Sequence, residues 1–260
     1  MSPQKQHWEL TAENWQQENR QLLWRQHSDA VNRELVQRWW PNKIVGRVLK
    51  TDLFDEVFGE GLYPLLRSNA SSINGIDISA TIASAVQKRY PDLKATIADA
   101  RRLPFLDNQF DLIISNSTLD HFQKAGDIGL AVGELYRILR PGGQMVITLD
   151  NLRNPIIALR HVLPFRLLKS LGLVPYFVGS TVGPRGLCRL MTQTGFRIID
   201  TTSVMHCPRV IAVAIAGQLQ RHAMPPAQIK FLRSLMALEK LSSLPTRTLT
   251  GHFVAARVVK

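Results

Sequence analysis

Asp77, Asp99 and Asn116 each stand at or just after the end of a predicted strand of this chain. The carboxyl ends of parallel strands meet at one edge of a sheet, where ligands bind, so these side chains are expected to lie close together. A carboxylate in this position suits paired hydrogen bonds to the two hydroxyls of a ribose. Asp77 is therefore a candidate nucleoside-binding residue. Capping of a helix that opens at Ser79 is the alternative, and the two roles can coexist.

The loop after the predicted fourth strand, Ser115-Asn-Ser-Thr-Leu-Asp-His-Phe122, carries further candidate chemistry. Asn116 offers both donor and acceptor groups to a ligand, and Ser117 follows it. His121 is a candidate general base for an acidic O–H or C–H, because its ordinary pKa lies near neutrality, and Asp120 stands beside it. Helix capping or pocket lining by Asp120 and His121 is equally open, since a reaction that mainly requires alignment needs no base.

The elements that would position these residues follow from apolar periodicity. Phe110–Ser115 and Met145–Leu149 are short, apolar and bounded by turn formers, as is typical of buried parallel strands. Apolar residues between them recur at three- and four-residue spacing, which predicts a helix: Ile128, Ala131, Val132, Leu135, Tyr136 and Leu139. Arg140-Pro-Gly-Gly143 predicts the end of that helix and a tight turn. Strand, helix and strand of this length form a right-handed crossover unit.

Further elements are predicted on the same grounds. The strands are Lys43–Thr51, Ser71–Asp77, Leu93–Ala98, Phe196–Met205 and His252–Val259. The later helices are Pro184–Thr194, ended by Gly195, then Val210–Leu219 and Gln228–Leu241.

Several spaced pieces of the chain together resemble one known family. They are Asp99-Ala100, Leu103-Pro104-Phe105, Phe110-Asp111 and Glu134-Leu-Tyr-Arg-Ile-Leu-Arg-Pro-Gly-Gly143. In this order they are similar to the class I S-adenosylmethionine-dependent methyltransferases, in particular the type 11 group that includes the ubiquinone/menaquinone C-methyltransferases. Spaced pieces in the right order are more specific than one short motif. The resemblance covers about residues 43–150.

The resemblance implies an α/β fold: a Rossmann-like, seven-stranded, mostly parallel sheet with helices on both faces and an antiparallel last strand. It implies S-adenosylmethionine as the cofactor, and no metal. It places Asp77 and Ile78 at the ribose and Asp99 and Ala100 at the adenine, although Asp99 could also only cap its loop. It places Asn116 and Ser117 beneath the sulfonium, facing the substrate.

The family's glycine-rich loop after the first strand is degraded in this chain. The sequence continues Asp52-Leu-Phe-Asp-Glu-Val-Phe-Gly-Glu-Gly61, so that only Gly59 and Gly61 keep the GxG spacing. A lengthened loop that still binds the methionine end of the cofactor is the preferred interpretation, with Asp52 or Asp55 holding the ammonium group. A methyltransferase-like domain that no longer binds the cofactor is the alternative.

Two additions to the domain, which spans residues 43–260, are predicted. Residues 1–42 form a helical extension rich in Trp, packed on the sheet domain, placed over the cofactor crevice, or acting as an aromatic substrate gate. Residues 152–195 form a helical lid. The segment 152–178 has no acidic residue and carries Arg153, Arg160, Arg166 and Lys169, which suits an anionic membrane surface or a lipophilic substrate; an ordinary cover helix is the alternative.

Charge is distributed unevenly along the chain, whose net charge is +12. Residues 151–260 hold 15 Lys or Arg but only two acids, Asp200 and Glu239, whereas residues 1–150 hold 17 Lys or Arg and 18 Asp or Glu. No apolar run reaches the roughly 20 residues that span a bilayer, and the N-terminus lacks the apolar region of a secretory signal. A cytoplasmic protein, with possible peripheral membrane contact, is therefore expected.

The two cysteines give neither a disulfide framework nor a metal-binding spacing, and the pair His206-Cys207 is more typical of packing than of metal binding. Three functions remain in view. The first is methyl transfer to a small, lipophilic molecule, and the second is action on nucleic acid, suggested by the basic back third but unsupported by basic–aromatic interleaving. The third is a non-catalytic, methyltransferase-like partner protein.

Overall fold

A computed structural model describes residues 8–10, 21–41, 43–170 and 179–260, with the side chain of Lys169 left aside. The sheet has the strand order β3-β2-β1-β4-β5-β7-β6, and all pairs are parallel except those of β7. This confirms the predicted seven-stranded, mostly parallel sheet. The strands are β1 Val45–Lys50, β2 Ala70–Asp77, β3 Leu93–Ile97, β4 Phe110–Asn116, β5 Leu139–Asp150, β6 Arg197–Val204 and β7 Phe253–Val259.

Helices cover both faces of the sheet. The α-helices are α1 Leu22–Trp39, α2 Phe54–Phe58, α3 Tyr63–Asn69, α4 Ala80–Arg89, α5 Ala125–Ile138, α6 Pro155–Val162, α7 Phe165–Ser170, α8 Pro184–Thr194, α9 Arg209–His222, α10 Pro225–Ala237 and α11 Arg247–Thr250. Short 3₁₀ turns lie at Leu119–His121 and Leu238–Ser243.

Two hydrophobic cores form because successive strand side chains point to opposite faces. Val48 lies in the core beneath α1, α4, α9 and α10, while the next residue, Leu49, lies in the core beneath α5 and α8. Likewise, Leu112 of β4 lies in the first of these cores and Ile113 lies in the second. Burial of both faces explains why the central residues of these strands are apolar on both sides rather than alternating.

The segment Arg140–Gly143 differs from the expected free turn. It lies within strand β5, where Phe110 pairs with Leu139 but Leu112 already pairs with Gln144. The extra residues form an irregular bulge, and Gly142 adopts a φ of 73°, which favours glycine. The helix ends at Ile138, so Leu139, which was predicted to lie in the helix, begins β5 instead.

The N-terminal extension packs on the domain. Val31, Leu35 and Val36 of α1 are buried in the first core, and the indole nitrogen of Trp39 donates to Asp200 at 3.1 Å. Trp15 and the rest of residues 11–20 lie outside the described residues.

The predicted lid of residues 152–195 is corrected at its end. Helix α8 is a structural helix, because Leu187 and Met191 are fully buried in the second core, and Gly195 ends it with a φ of 108°. Ile157 of α6 and Leu168 of α7 are buried but belong to neither of the two cores, and residues 171–178 lie outside the described ranges. None of the helices in the described ranges combines the length and apolar character that crossing a bilayer requires.

Candidate active site

A crevice opens at the carboxyl edge of β1, β2 and β4. It brings together six of the residues singled out from the sequence: Asp52, Asp77, Ile78, Asp99, Ala100 and His121. The other lining residues are Trp8, Thr51, Phe54, Ile76, Ser79, Ile82, Ala98, Thr118 and Phe122.

Asp77 ends β2 and is fixed by backbone donors on both sides. The N–H of Leu53 donates to one carboxylate oxygen at 3.2 Å, and the N–H of Ser79 donates to the other at 2.8 Å. Burial, followed by the nearby Asp52 carboxylate, raises the pKa of Asp77 to about 7. The helix that follows is capped by Ser79, whose hydroxyl accepts from Ile82, so Asp77 is free of the N-cap role that was its alternative.

Asp52 shares the crevice and comes directly after β1. Its Oδ1 accepts from the N–H of Phe54 at 2.9 Å, and burial raises its pKa despite the charge of Lys50. Lys50 itself is buried, and its Nζ donates to Glu56 at 2.7 Å and to the backbone oxygen of Asp52. This buried ion pair holds the turn after β1 in place.

The other predicted loop residues lie outside the crevice lining, which corrects the expectation that the glycines approach the cofactor. A Cβ added at Gly59 would lie 2.6 Å from Asp29 of α1, and one added at Gly61 would collide with Glu56. The two glycines are therefore required by close packing of α1 and α2. Asp55 is paired with Arg25 at 3.0 Å, also on the side of α1.

Asp99 lines the crevice beside Ala100, but its carboxylate is engaged by Arg101. Both oxygens accept from that guanidinium, the closest pair of atoms lying 2.6 Å apart. Burial raises the pKa of Asp99, and the hydrogen bonds from Arg101 outweigh it, so the net pKa is lowered. Because a carboxylate has about four acceptor directions, it can still accept from a ligand amino group.

Asn116 and Ser117 lie beside the crevice rather than in its lining. Both amide atoms of Asn116 are buried and have no hydrogen-bond partner among the described residues. Ser117 has a φ of 47°, and its hydroxyl donates to Asp120 at 2.9 Å. A buried amide without partners is rare and points to a bound molecule or water as its missing partner.

His121 faces the crevice, whereas Asp120 is buried behind it. The imidazole Nε2 lies 4.0 Å from the Asp120 carboxylate, and the ring of Trp8 meets His121 edge-on at 4.8 Å between centroids. Burial lowers the pKa of His121 below 6.5, although the charges of Asp52 and Asp150 oppose this shift. The ring is therefore neutral at pH 7, as a general base requires.

Sequence reasoning missed the hydroxyl groups of the site. Thr51 bonds to Ser115 at 3.0 Å and to Thr118 at 2.9 Å, which links the ends of β1 and β4. Thr51 follows β1 directly, so the strand-end rule that found Asp77 also finds Thr51. Phe54 had no comparable local signal, whereas Trp8 belongs to the Trp-rich extension for which a position over the crevice was one alternative.

A second polar cluster lies at the end of β5. Buried Asp150 bonds to the Arg160 guanidinium, and His252 approaches it at 3.4 Å, with His161 at 3.9 Å. Burial raises the pKa of Asp150, but these basic groups lower it well below its usual range. The backbone N–H of Asp150 also donates to Asp120, which ties this cluster to the His121 loop.

The expected packing role of the His206-Cys207 pair agrees with its contacts. His206 bonds to Thr250 at 2.8 Å, and the Cys207 sulfur lies 3.5 Å from His27 instead. Within the described ranges, no group of three or more His, Cys, Asp or Glu side chains is arranged to hold a metal ion.

Comparison with known proteins identifies relatives of the core. Residues 58–147 match the family described as a methyltransferase domain, type 11. A stretch of 71 residues is 38% identical to a demethylmenaquinone methyltransferase of Streptomyces avermitilis, covering 27% of this chain and 29% of that protein. The matches to three curated relatives cover from 29% to 61% of those proteins' own length.

Solved structures show the same fold. A phosphoethanolamine N-methyltransferase of Haemonchus contortus, in complex with S-adenosylhomocysteine, has a TM-score of 0.57 at 17% identity, with 88% of this chain and 52% of that chain covered. The cyclase SpnF has a TM-score of 0.59 at 19% identity, with 89% and 80% covered. At these identities the likeness establishes the fold alone.

Proposed function

This chain carries a type 11 methyltransferase domain in a class I S-adenosylmethionine-dependent methyltransferase fold, and on that premise we propose that it transfers the cofactor's methyl group to a small molecule. The observation that carries the proposal is the crevice itself. Three carboxylates, Asp52, Asp77 and Asp99, converge there with a neutral imidazole, His121. Carboxylates favour a ligand that presents hydroxyl, amino and cationic groups, as S-adenosylmethionine does.

The residues present fit this cofactor. Asp77 would accept from the ribose hydroxyls, Asp99 from the adenine amino group, and Asp52 would face the ammonium group. The orphaned amide of Asn116 offers both a donor and an acceptor beside the crevice. When bound, the cofactor supplies an electrophilic methyl group on a sulfonium.

The chain's own contribution is alignment, exclusion of water and movement of a proton. His121 would take the proton of the acceptor, and Asp120, 4.0 Å from Nε2, would orient the ring. The pKa of Asp120 is raised to about 7 by its burial and by the charge of Asp150. If the acceptor is already ionised, His121 only lines the site.

A non-catalytic, methyltransferase-like protein is the second candidate, favoured by the turn after β1. Asp52, Leu53 and Phe54 occupy the place where the family has glycines, and Phe54 lines the crevice. Calorimetric titration with S-adenosylhomocysteine separates the two candidates. Binding that is lost in Asp77→Ala but kept in Asp92→Ala, an exposed acid of the loop before β3, supports the proposal, and no binding by the wild-type protein refutes it.

The methyl acceptor is identified by mass spectrometry. Cell extract is incubated with the protein and with cofactor carrying an isotopically labelled methyl group. A labelled small molecule that appears with the wild-type protein and not with Asp77→Ala supports methyl transfer. Label that appears only in RNA or DNA replaces the small-molecule proposal with the nucleic-acid alternative.

A lipophilic acceptor, reached from an anionic membrane surface on the cytoplasmic side, is the finer part of the proposal. Ile156, Leu159 and Val162 form a stripe along α6 and are 61%, 58% and 80% exposed. Arg153 and Arg166 are exposed nearby in sequence. Arg160 does not contribute, because it is paired with Asp150.

Vesicle co-sedimentation tests this surface. Each exposed basic residue near anionic lipid contributes about 1 kcal/mol, and this part is sensitive to salt. The apolar stripe should add binding that survives high salt. The triple variant Ile156→Ser, Leu159→Ser, Val162→Ser should lose the salt-resistant part, and the control Leu106→Ser, exposed in another loop, should keep it. Wild-type protein that stays in solution with anionic vesicles at low salt contradicts membrane contact.

A further inference from the structure

Trp8 belongs to the N-terminal extension but lies in the crevice. It is among the crevice-lining residues, and its ring contacts His121 edge-on at 4.8 Å. The two residues are separated by more than 100 positions in the chain, so this contact is a product of the tertiary fold. An indole in this position gives a nucleoside cofactor a large apolar wall.

Glu9 holds this segment against helix α4. Its Oε1 accepts from the N–H of Ala80 at 2.7 Å, and its Oε2 accepts from the hydroxyl of Ser79 at 2.8 Å and the N–H of Thr81 at 3.3 Å. Burial raises the pKa of Glu9, and these bonds outweigh it, so the net pKa is lowered.

The electrostatics of α4 make Glu9 a strong anchor. The first turn of this helix contains no acid of its own, so its unpaired N–H groups and positive dipole end are available to a carboxylate from elsewhere. Glu9 supplies that carboxylate. Hydrogen bonds to a charged acceptor are about twice as strong as neutral ones.

The anchor point is shared with the candidate ribose residue. Ser79 donates its backbone N–H to Asp77 at 2.8 Å and its hydroxyl to Glu9. Glu9 and Asp77 therefore fix opposite sides of one turn. A ligand held by Asp77 lies next to the segment that Glu9 holds.

We propose that Trp8 is a cofactor-contacting residue of the crevice, held in place by Glu9 as a latch on α4. The ligand class is the adenosyl nucleoside, so the inference rests on the proposed function. In this arrangement the hydrogen bonds from α4 to Glu9 must break before the cofactor can leave. The fluorescence of Trp8 changes when the crevice is occupied.

Release of S-adenosylhomocysteine, measured by stopped-flow tryptophan fluorescence, tests the latch. Glu9→Gln removes the charge and keeps the shape, so the release rate should rise about tenfold, which corresponds to about 1.4 kcal/mol. Trp8→Ala should raise it similarly, and Trp8→Phe should restore most of the retention. The matched control is Glu60→Gln, which alters only the exposed pair with Arg33. Because Trp8 variants change the signal itself, their release is followed with radiolabelled ligand.

Amide exchange in the ligand-free protein gives an independent readout. The N–H of Ala80 should be protected in the wild type and in Glu60→Gln, and should exchange faster in Glu9→Gln. Faster exchange together with faster release supports the proposal. Unchanged Ala80 exchange in Glu9→Gln, or unchanged release in both Glu9→Gln and Trp8→Ala, overturns it while the methyltransferase proposal stands. Failure of the wild-type protein to bind the ligand refutes the methyltransferase proposal first, and the role of Trp8 falls with it.

Discussion

Titration of Asp77 should make cofactor binding depend on pH in the physiological range. Burial and the neighbouring Asp52 carboxylate raise the pKa of Asp77 to about 7. Ribose hydroxyls bind the ionised carboxylate more strongly than the neutral acid, so binding draws mainly on the ionised fraction. That fraction rises from about one tenth at pH 6 to about nine tenths at pH 8, and the affinity for S-adenosylhomocysteine should therefore rise about tenfold over this interval.

Three variants separate the contributions to this profile. Asp77→Asn should weaken binding by about ten- to a hundredfold at pH 8 and should flatten the profile. Asp52→Asn removes a charge that raises the pKa of Asp77, so the midpoint of the profile should move to lower pH. Asp99→Asn is the matched control, because the hydrogen bonds from Arg101 keep Asp99 ionised, and its loss should weaken binding equally at every pH.

Calorimetry in two buffers of different protonation enthalpy measures the protons directly. Near pH 7 the wild-type protein should release about half a proton for each ligand bound, and Asp77→Asn should release none from this position. An affinity that does not change with pH, or a profile that survives in Asp77→Asn, would refute the reasoning.

The same carboxylate should limit the stability of the ligand-free protein. The pKa of an unfolded Asp is 3.8, so above that value the unfolded chain ionises while folded Asp77 stays protonated, and stability falls as the pH rises toward about 7. Between about pH 4 and pH 7, Asp77→Asn should therefore lose less stability in urea unfolding than the wild type loses. A variant whose stability falls as steeply as that of the wild type over this interval contradicts the assignment.

The other predictions concern the base, the buried ion pair and the second polar cluster. His121→Ala should lower the rate of methyl transfer by about 10²–10⁴-fold with little change in cofactor affinity, and the wild-type rate should stay level as the pH falls toward 6.5, because burial lowers the pKa of His121; a rate within a few-fold of wild type leaves alignment alone. Lys50→Met should destabilise the fold by about 3–5 kcal/mol in urea unfolding, because it leaves Glu56 buried and uncompensated, and adding Glu56→Leu should recover much of the loss; equal loss in single and double variants argues against the pair. Arg160→Met should also destabilise the fold, because it leaves the buried Asp150 carboxylate without its guanidinium partner, and the midpoint of thermal unfolding should fall. An unchanged midpoint would show that His161 and His252 are enough to stabilise this carboxylate.

The residues at the strand ends were predictable because a strand and the polar residue that ends it are neighbours in the sequence. Asp77 and Asp99 stand at the ends of predicted strands, and the geometry of a parallel sheet then brings their positions to one edge. Asp52, one of the two acids proposed for the ammonium group, lines the same crevice, whereas Asp55 is not among the lining residues. Periodicity also predicted the end of α8 at Gly195, where a positive φ favours glycine.

The positions that failed depend on contacts between distant parts of the chain. The spacing of Gly59 and Gly61 suggests a loop whose backbone approaches the methionine end of the cofactor, but it cannot show that Asp29, about 30 residues earlier, packs against Gly59. The apolar face of α8 predicts a buried helix, but the sequence does not show that this helix packs on the sheet. The predicted lid therefore extends too far toward the C-terminus. Trp8 lies in the crevice beside Glu9, which accepts hydrogen bonds from the first turn of α4, about 70 residues later in the chain.

The position of β7 has a consequence for how the protein is made. Strand β7 lies between β5 and β6 and is antiparallel to both, although it follows β6 in the chain by about fifty residues. While the ribosome is still adding those residues, β6 has no strand to pair with, and one edge of β5 stays open. We therefore expect a nascent chain that stops before Phe253 to bind chaperones and to resist folding. The sheet should close only after β7 has been synthesised and has left the ribosome.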